Sequence, residues 1–241
     1  MRVLPVLDVM GGHVVRGVGG RRQEYRRIRS RLTASSQPLD VAQAFRDQLG
    51  LEEIYLADLD AIAGKQPAWS IFAGLHAQGS RLWVDAGVRS LTRACQLTEA
   101  GIDSLVVGLE TVQGPAELAE IVRALGDRVV FSLDLREGKP LGERRVWEGD
   151  DALLIASEAI RLGVRRLLVL DLARVGLGAG VGTSELCARL SAAAPDVEIS
   201  AGGGVRDRAD LEALRSCGVR CVLVASALHD GRLTRADLHG L

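Results

Sequence analysis

The 241-residue sequence has little aromatic content, little lysine, few prolines and few cysteines. Aromatic residues make up 3% of the chain, too few for the stacking platforms that hold single-stranded nucleic acid. Thirty basic residues against thirty-one acidic ones leave a net charge of -1, which removes any global electrostatic case for nucleic acid. Lys65 and Lys139 are the only lysines; arginine supplies the other basic positions, and that bias carries no functional assignment. The four cysteines, Cys95, Cys187, Cys217 and Cys221, are scattered through apolar segments. They form neither a disulfide framework nor a zinc spacing, and they read as buried thiols of a reducing compartment. No apolar run approaches the ~18 residues of a membrane span. The N-terminus reaches Asp8 before a signal-peptide core can form, so the sequence predicts a cytoplasmic protein without membrane contact.

What remains is an ordinary globular composition, 47% hydrophobic and 25% charged, in one periodic pattern. Short runs rich in Val, Leu and Ile recur at Val3–Leu7, Ile54–Ala57, Leu82–Val84, Leu105–Val107, Val129–Leu133, Leu167–Leu170, Val197–Ile199 and Cys221–Val224. Continuous apolar runs of this length fit strands buried on both faces, as a parallel sheet requires. Amphipathic stretches such as Pro38–Leu49, Pro115–Leu125, Ala152–Leu162 and Asp207–Cys217 fall between them and predict helices. Eight strand–helix units in this length suit an α/β fold, either a (β/α)8 TIM barrel or a doubly wound open sheet.

An internal repeat separates the two. Leu7-Asp8-Val9 with Gly11 matches Leu133-Asp134-Leu135 with Gly138, and Asp58-Leu59 matches Asp171-Leu172. Asp85-Ala86-Gly87-Val88-Arg89 matches Gly202-Gly203-Gly204-Val205-Arg206, and Val107-Gly108-Leu109 matches Val224-Ala225-Ser226. Four matches in the same order make the second half a replay of the first. The chain is therefore expected to form one TIM-barrel domain over 1–241, built from half-barrels of about 1–126 and 127–241.

In such a barrel the residues past the C-terminal ends of the strands surround a common mouth. Asp8, Asp58, Asp134 and Asp171 fall there, with Asp60 and Asp85 nearby. Single aspartates at strand ends often cap loops, and Asp58 and Asp171 read as structural or orienting. Asp8 and Asp134, on strands across the barrel from each other, form a symmetric pair suited to general acid–base work. Glycines let backbone N–H groups approach phosphate closely. Gly203 and Gly204 with Ala225 and Ser226 are the expected second-half phosphate site. Gly87 and Arg89 with Gly108 and Thr111 are its first-half counterpart, where Glu110 opposes an anion. Two such sites predict a phosphorylated small-molecule substrate with a phosphate at each end, Asp171 among its contacts. The loop after the first strand holds Arg16, Arg21, Arg22, Arg26, Arg27, Arg29 and Arg31. It is either a solvated charge run or a clamp, Arg16 and Arg29 being the clamp candidates. His13 lies close enough to Asp8 in sequence to reach the mouth, and His229 follows the strand-eight loop. No histidine pair has metal spacing, so no catalytic metal is expected, and the short loops offer no evident interface for an obligatory protein partner.

The repeat, the Leu-Asp strand ends and the Gly-Gly-Gly-Val-Arg-Asp loop together resemble the family that contains ProFAR isomerase of histidine biosynthesis and the cyclase subunit of imidazole glycerol phosphate synthase. The resemblance implies a (β/α)8 barrel without a cofactor, whose ligands carry two phosphates. It also implies an Amadori rearrangement with Asp8 as general base and Asp134 as general acid. Leu170 stands where the isomerases carry threonine, Asp85-Ala86 where they carry two glycines, and Ala225 where they carry glycine. Tyr25 through Leu32 and Tyr55 through Ile62 are similar to a divergent branch of the family. That branch occurs in methanogens and in bacteria with tetrahydromethanopterin-linked one-carbon metabolism. The residues leave open isomerisation of ProFAR or a related aminosugar, a divergent relative with another phosphorylated substrate, and a non-catalytic barrel that binds a phosphometabolite.

Overall fold

The computed structural model describes residues 1–142 and 146–241. Eight strands lie parallel in sequence order: β1 (Arg2–Met10), β2 (Glu53–Asp58), β3 (Arg81–Asp85), β4 (Ser104–Gly108), β5 (Val129–Arg136), β6 (Arg166–Asp171), β7 (Glu198–Gly202) and β8 (Cys221–Val224). The sheet closes on itself where β8 pairs with β1, from Arg2 opposite Cys221 to Pro5 opposite Val224. Helices between successive strands cover the outside, so the fold is a (β/α)8 TIM barrel.

Each strand buries both faces, which is why its sequence reads as an apolar run. Outward residues such as Leu7, Leu56, Val84, Leu133 and Val169 join the core beneath the helices. Inward residues such as Leu4, Tyr55, Trp83, Val130 and Leu168 fill the barrel centre. Proline opens the helices at Pro38 and Pro115, while the Ser90, Asp151 and Asp207 side chains cap three others by accepting backbone N–H bonds. The expected helix Pro38–Leu49 is α-helical only to Ala44 and continues as a π-helical turn over Phe45–Leu49.

Two strands run past their expected ends. β1 extends to Met10 because Asp8 to Met10 pair with the antiparallel strand His13–Arg16. β5 extends to Arg136 because Leu135 and Arg136 pair with Lys139–Pro140. Asp8 and Asp134 therefore sit within strands rather than on loops, which fixes their backbones by ladder hydrogen bonds.

The N-terminal end of the barrel is plugged by charge. Arg2 pairs with Glu53 at 2.9 Å and with Glu198 at 2.6 Å. Trp83 Nε1 donates to Glu53 at 2.8 Å, and the Arg166 guanidinium lies 4.3 Å from the Trp83 ring centroid. This plug leaves the C-terminal end as the open mouth.

Candidate active site

The mouth holds a cavity of about 370 Å³, within the range of small-molecule sites. Asp8 from β1, Asp85 from β3 and Asp134 from β5 line it, because odd-numbered strands of this register point their last inward residues to the same level. Tyr55 from β2 and Leu170 from β6 complete the floor.

Asp134 is 4% exposed. Ser132, two residues earlier on the same face of β5, donates its hydroxyl to Asp134 Oδ1 at 2.6 Å. Oδ2 is buried with no partner among the described residues. Burial, reinforced by the nearby Asp85 charge, holds this carboxyl well above the usual range, and the Ser132 bond only partly offsets it. Asp8 is pushed up to about 7 by burial, against the pull of Arg22. Asp85 is also pushed up to about 7 by burial, although the Gly87 N–H donates to its Oδ1 at 3.1 Å. Tyr55 stays protonated, since burial and the three aspartates raise its hydroxyl further.

Backbone glycine gives these carboxyls their room. A Cβ at Gly108 would stand 2.9 Å from Asp134 Oδ2 and 3.9 Å from Asp85 Oδ2. A Cβ at Gly17 would stand 3.1 Å from Asp8 Oδ2 and 2.8 Å from Val175.

The expected phosphate residues divide. Gly203, Gly204, Ala225 and Ser226 all line the cavity, as does Arg232, whose guanidinium donates to the Arg206 carbonyl at 3.0 Å and to Asp230 at 3.3 Å. Gly203 and Gly204 adopt φ of +91° and +95°, a region closed to most side chains. Of the four residues expected on the opposite side, Arg89 and Thr111 line the cavity, together with Asp85, Glu110 and Asp134. Arg89 donates to the carbonyls of Gly87 and Ile62 at 3.2 and 2.9 Å, and Thr111 donates to the Gly108 carbonyl at 3.2 Å. Gly87 is a turn residue against Ile62, and Gly108 lies behind the carboxyls.

Asp171 is not a cavity residue. Its carboxylate accepts from the N–H groups of Glu137, Gly138 and Ala173 at 3.1, 3.0 and 3.0 Å, so it ties the β5 hairpin to the β6 loop. Asp58 does the same on the first half, accepting from Ala61 at 3.0 Å and Ala68 at 2.7 Å. The clamp residues also move. Arg16 forms a two-pronged pair with Asp230 at 2.8 Å, and both Arg16 and Arg29 line a small neighbouring recess instead of the main cavity. Arg22 and Tyr25 of the same loop line the cavity, as does Arg136, the last residue of β5. His13 contacts Ser36 at 3.2 Å and does not line the cavity; His229 is buried against Ser30 at 3.0 Å, its imidazole pushed down to about 4 by burial.

A family model described as "Histidine biosynthesis protein" matches residues 2–234. The chain belongs to that family. A relative from Alkaliphilus metalliredigens is 29% identical over 244 residues, covering 100% of this chain and 99% of its own. One from Synechococcus sp. (strain CC9311) is 31% identical, covering 99% and 91%. One from Stenotrophomonas maltophilia is 33% identical, covering 98% and 97%. All three are named 1-(5-phosphoribosyl)-5-((5-phosphoribosylamino)methylideneamino) imidazole-4-carboxamide isomerase, the ProFAR isomerase of the resemblance. In this member of the histidine biosynthesis family Asp8, Asp134, Gly203 and Gly204 line one cavity. It carries Asp85 and Leu170 as further cavity residues.

The sequence contained a signal for Tyr55 that the apolar-run reading passed over. Tyr55 alternates with Ile54 and Leu56, and period-two alternation alone assigns it to the barrel interior. Arg22 could not be selected among seven loop arginines without the path of the loop.

Proposed function

We propose that the protein is an aldose–ketose isomerase that performs an Amadori rearrangement on a phosphorylated aminosugar, ProFAR or a close relative of it. The reading is carried by one observation: two opposed strands present Asp8 and Asp134 to one cavity, each with its carboxyl raised by burial. The substrate phosphate rests on the loops of Gly203–Gly204 and Ala225–Ser226, opposite the acidic side.

Asp134 enters protonated and donates through Oδ2 to the ring oxygen of the aminoaldose. The bond from C1 to that oxygen breaks while the nitrogen lone pair forms C1=N, giving an open-chain protonated imine. Asp8, ionised, takes the proton from C2; the C–H electron pair becomes C1=C2 and the C1=N pair returns to nitrogen. The resulting enolamine tautomerises: C2–OH releases its proton to solvent as C2=O forms, and C1 takes a proton from Asp8 after that carboxyl has exchanged with solvent. Electrons balance within the substrate, and Ser132 keeps the acid oriented. Tyr55, held neutral by burial and the nearby carboxyls, lines the same cavity.

The test is hydrogen exchange at carbon. In D2O, wild type turning over a phosphorylated aminosugar is expected to place deuterium in the ketose product, at C1, while Asp8→Asn places none. Product formed without label at any carbon by wild type would remove the enolamine scheme.

A further inference from the structure

Asp8 lies between two spaces. One is the mouth; the other is a recess of about 20 Å³ lined also by Arg16, Gly17, Ile28, Arg29 and Ser226. Asp8 and Ser226 line both, so the recess adjoins the carboxyl that serves as base. Gly17 forms the passage between them. A Cβ there would stand 3.1 Å from Asp8 Oδ2 and 2.8 Å from Val175, yet its backbone is not left-handed, so space rather than conformation calls for glycine. On its outer side the recess reaches the exposed Arg29 and the partly exposed Arg16, which is held by its two-pronged pair with Asp230. A buried water needs about 10–15 Å³ and a few polar partners, and a recess of about 20 Å³ bounded by Asp8, Ser226 and two arginines meets both conditions.

We propose that this recess is the proton port of Asp8: a water held there exchanges the Asp8 proton with solvent while substrate fills the mouth, with Gly17 and Ile28 as the positioning residues that keep it open. The inference rests on the isomerase reading, in which Asp8 takes a proton from C2 and gives one to C1. The step conserves atoms and charge. The carboxyl carrying the C2 hydrogen passes it to the water and takes a solvent hydrogen from that water in return. Asp8 is left protonated as before, and the C2 hydrogen leaves past the arginines to bulk solvent.

Label retention decides the matter. ProFAR and 5-phosphoribosylamine, each carrying deuterium at C2 of the aminoaldose, are converted in H2O in a single turnover, and the ketose is read for deuterium at C1 by mass spectrometry. Wild type is expected to lose most of the label. Ile28 lines the recess but not the mouth, and Ile28→Phe, which fills the recess, is expected to retain several-fold more label. Gly17→Ala, which fills the passage, is expected to do the same. Ile28→Ala widens the recess and is expected to match wild type, whereas general damage to the fold would move both Ile28 variants alike. The proposal is overturned by label kept in wild type, by wild-type loss in whichever filled variant folds, or by equal retention in the two Ile28 variants. Each of those results leaves isomerisation standing, because ketose still forms. Conversion of neither compound by wild type overturns both readings.

Discussion

Ser132 donates a 2.6 Å hydrogen bond to Oδ1 of Asp134, whose Oδ2 is buried beside Gly108 with no partner among the described residues. One oxygen is thereby fixed as acceptor, and in the proposed mechanism the other carries the proton to be delivered. Asp134→Asn is expected to lower kcat by about 10²–10⁴-fold, the range for loss of a general acid. Ser132→Ala, which frees the carboxyl to rotate, is expected to cost about 10-fold with KM little changed. Steady-state kinetics on both variants checks this, and a Ser132→Ala enzyme with unaltered kcat contradicts the orienting role.

The pH profile follows from the two carboxyls. Asp8 must be ionised to act, and it is raised to about 7, so kcat/KM is expected to climb as pH rises through that value. Asp134 must be protonated, and it is held well above the usual carboxyl range, so activity falls again at higher pH. The apparent values belong to a coupled set that includes Asp85. In Asp85→Asn the negative charge beside Asp134 is gone, and the alkaline limb is expected to move to lower pH.

Stability should run against activity. Asp8 and Asp85 hold protons up to about 7 in the folded state, whereas unfolded aspartate releases them near ~3.9. Between those values the folded state binds more protons than the unfolded one, so stability is lost as pH rises from about 4 to about 7. Asp8→Asn and Asp85→Asn remove a buried charge and are each expected to stabilise the protein by roughly 1–3 kcal/mol at about pH 8. Thermal melts across pH test this; a lower Tm in both variants at that pH contradicts it.

Glycine positions separate site effects from fold effects. Gly108→Ala places a methyl 2.9 Å from Asp134 Oδ2 and is expected to reduce kcat by more than about 10-fold. Gly203→Ala imposes a side chain at φ +91° and 2.7 Å from the Asp171 carbonyl oxygen, and is expected to destabilise by about 1–3 kcal/mol while weakening phosphate binding. Circular dichroism melts with phosphate titration distinguish the two.

The arginine loop divides likewise. Arg22→Ala is expected to raise KM, because Arg22 lines the cavity. Arg16→Ala removes a partly exposed pair with Asp230 and is expected to cost at most about 1 kcal/mol of stability with little change in KM. A larger KM effect from Arg16 than from Arg22 would reverse the assignment.

Strand positions and the Asp8–Asp134 pair were legible because both rest on local pattern, apolar runs and a repeated Leu-Asp. The extension of β1 to Met10 was not, since it depends on pairing with His13–Arg16, a hairpin outside the strand–helix alternation. Asp171 reads from sequence as structural or orienting as well as among the substrate contacts, and the structure gives it the structural place. Only the approach of the Glu137 and Gly138 amides from the β5 hairpin shows its carboxylate already satisfied. Gly87 and Gly108 read as phosphate glycines by spacing, yet their side of the mouth is walled by Asp85, Glu110 and Asp134. The charge of a pocket wall is summed across strands, and no single motif carries it.

The central claim, that Asp8 and Asp134 isomerise a phosphorylated aminosugar, meets its most direct test in single-turnover conversion. ProFAR and 5-phosphoribosylamine are offered separately to wild type and to Asp8→Asn. The account predicts that wild type converts at least one of them to its ketose, and that Asp8→Asn does so about 10²–10⁴-fold more slowly. Undiminished conversion by Asp8→Asn, or no conversion of either compound by a wild-type protein that still binds phosphate, would contradict it.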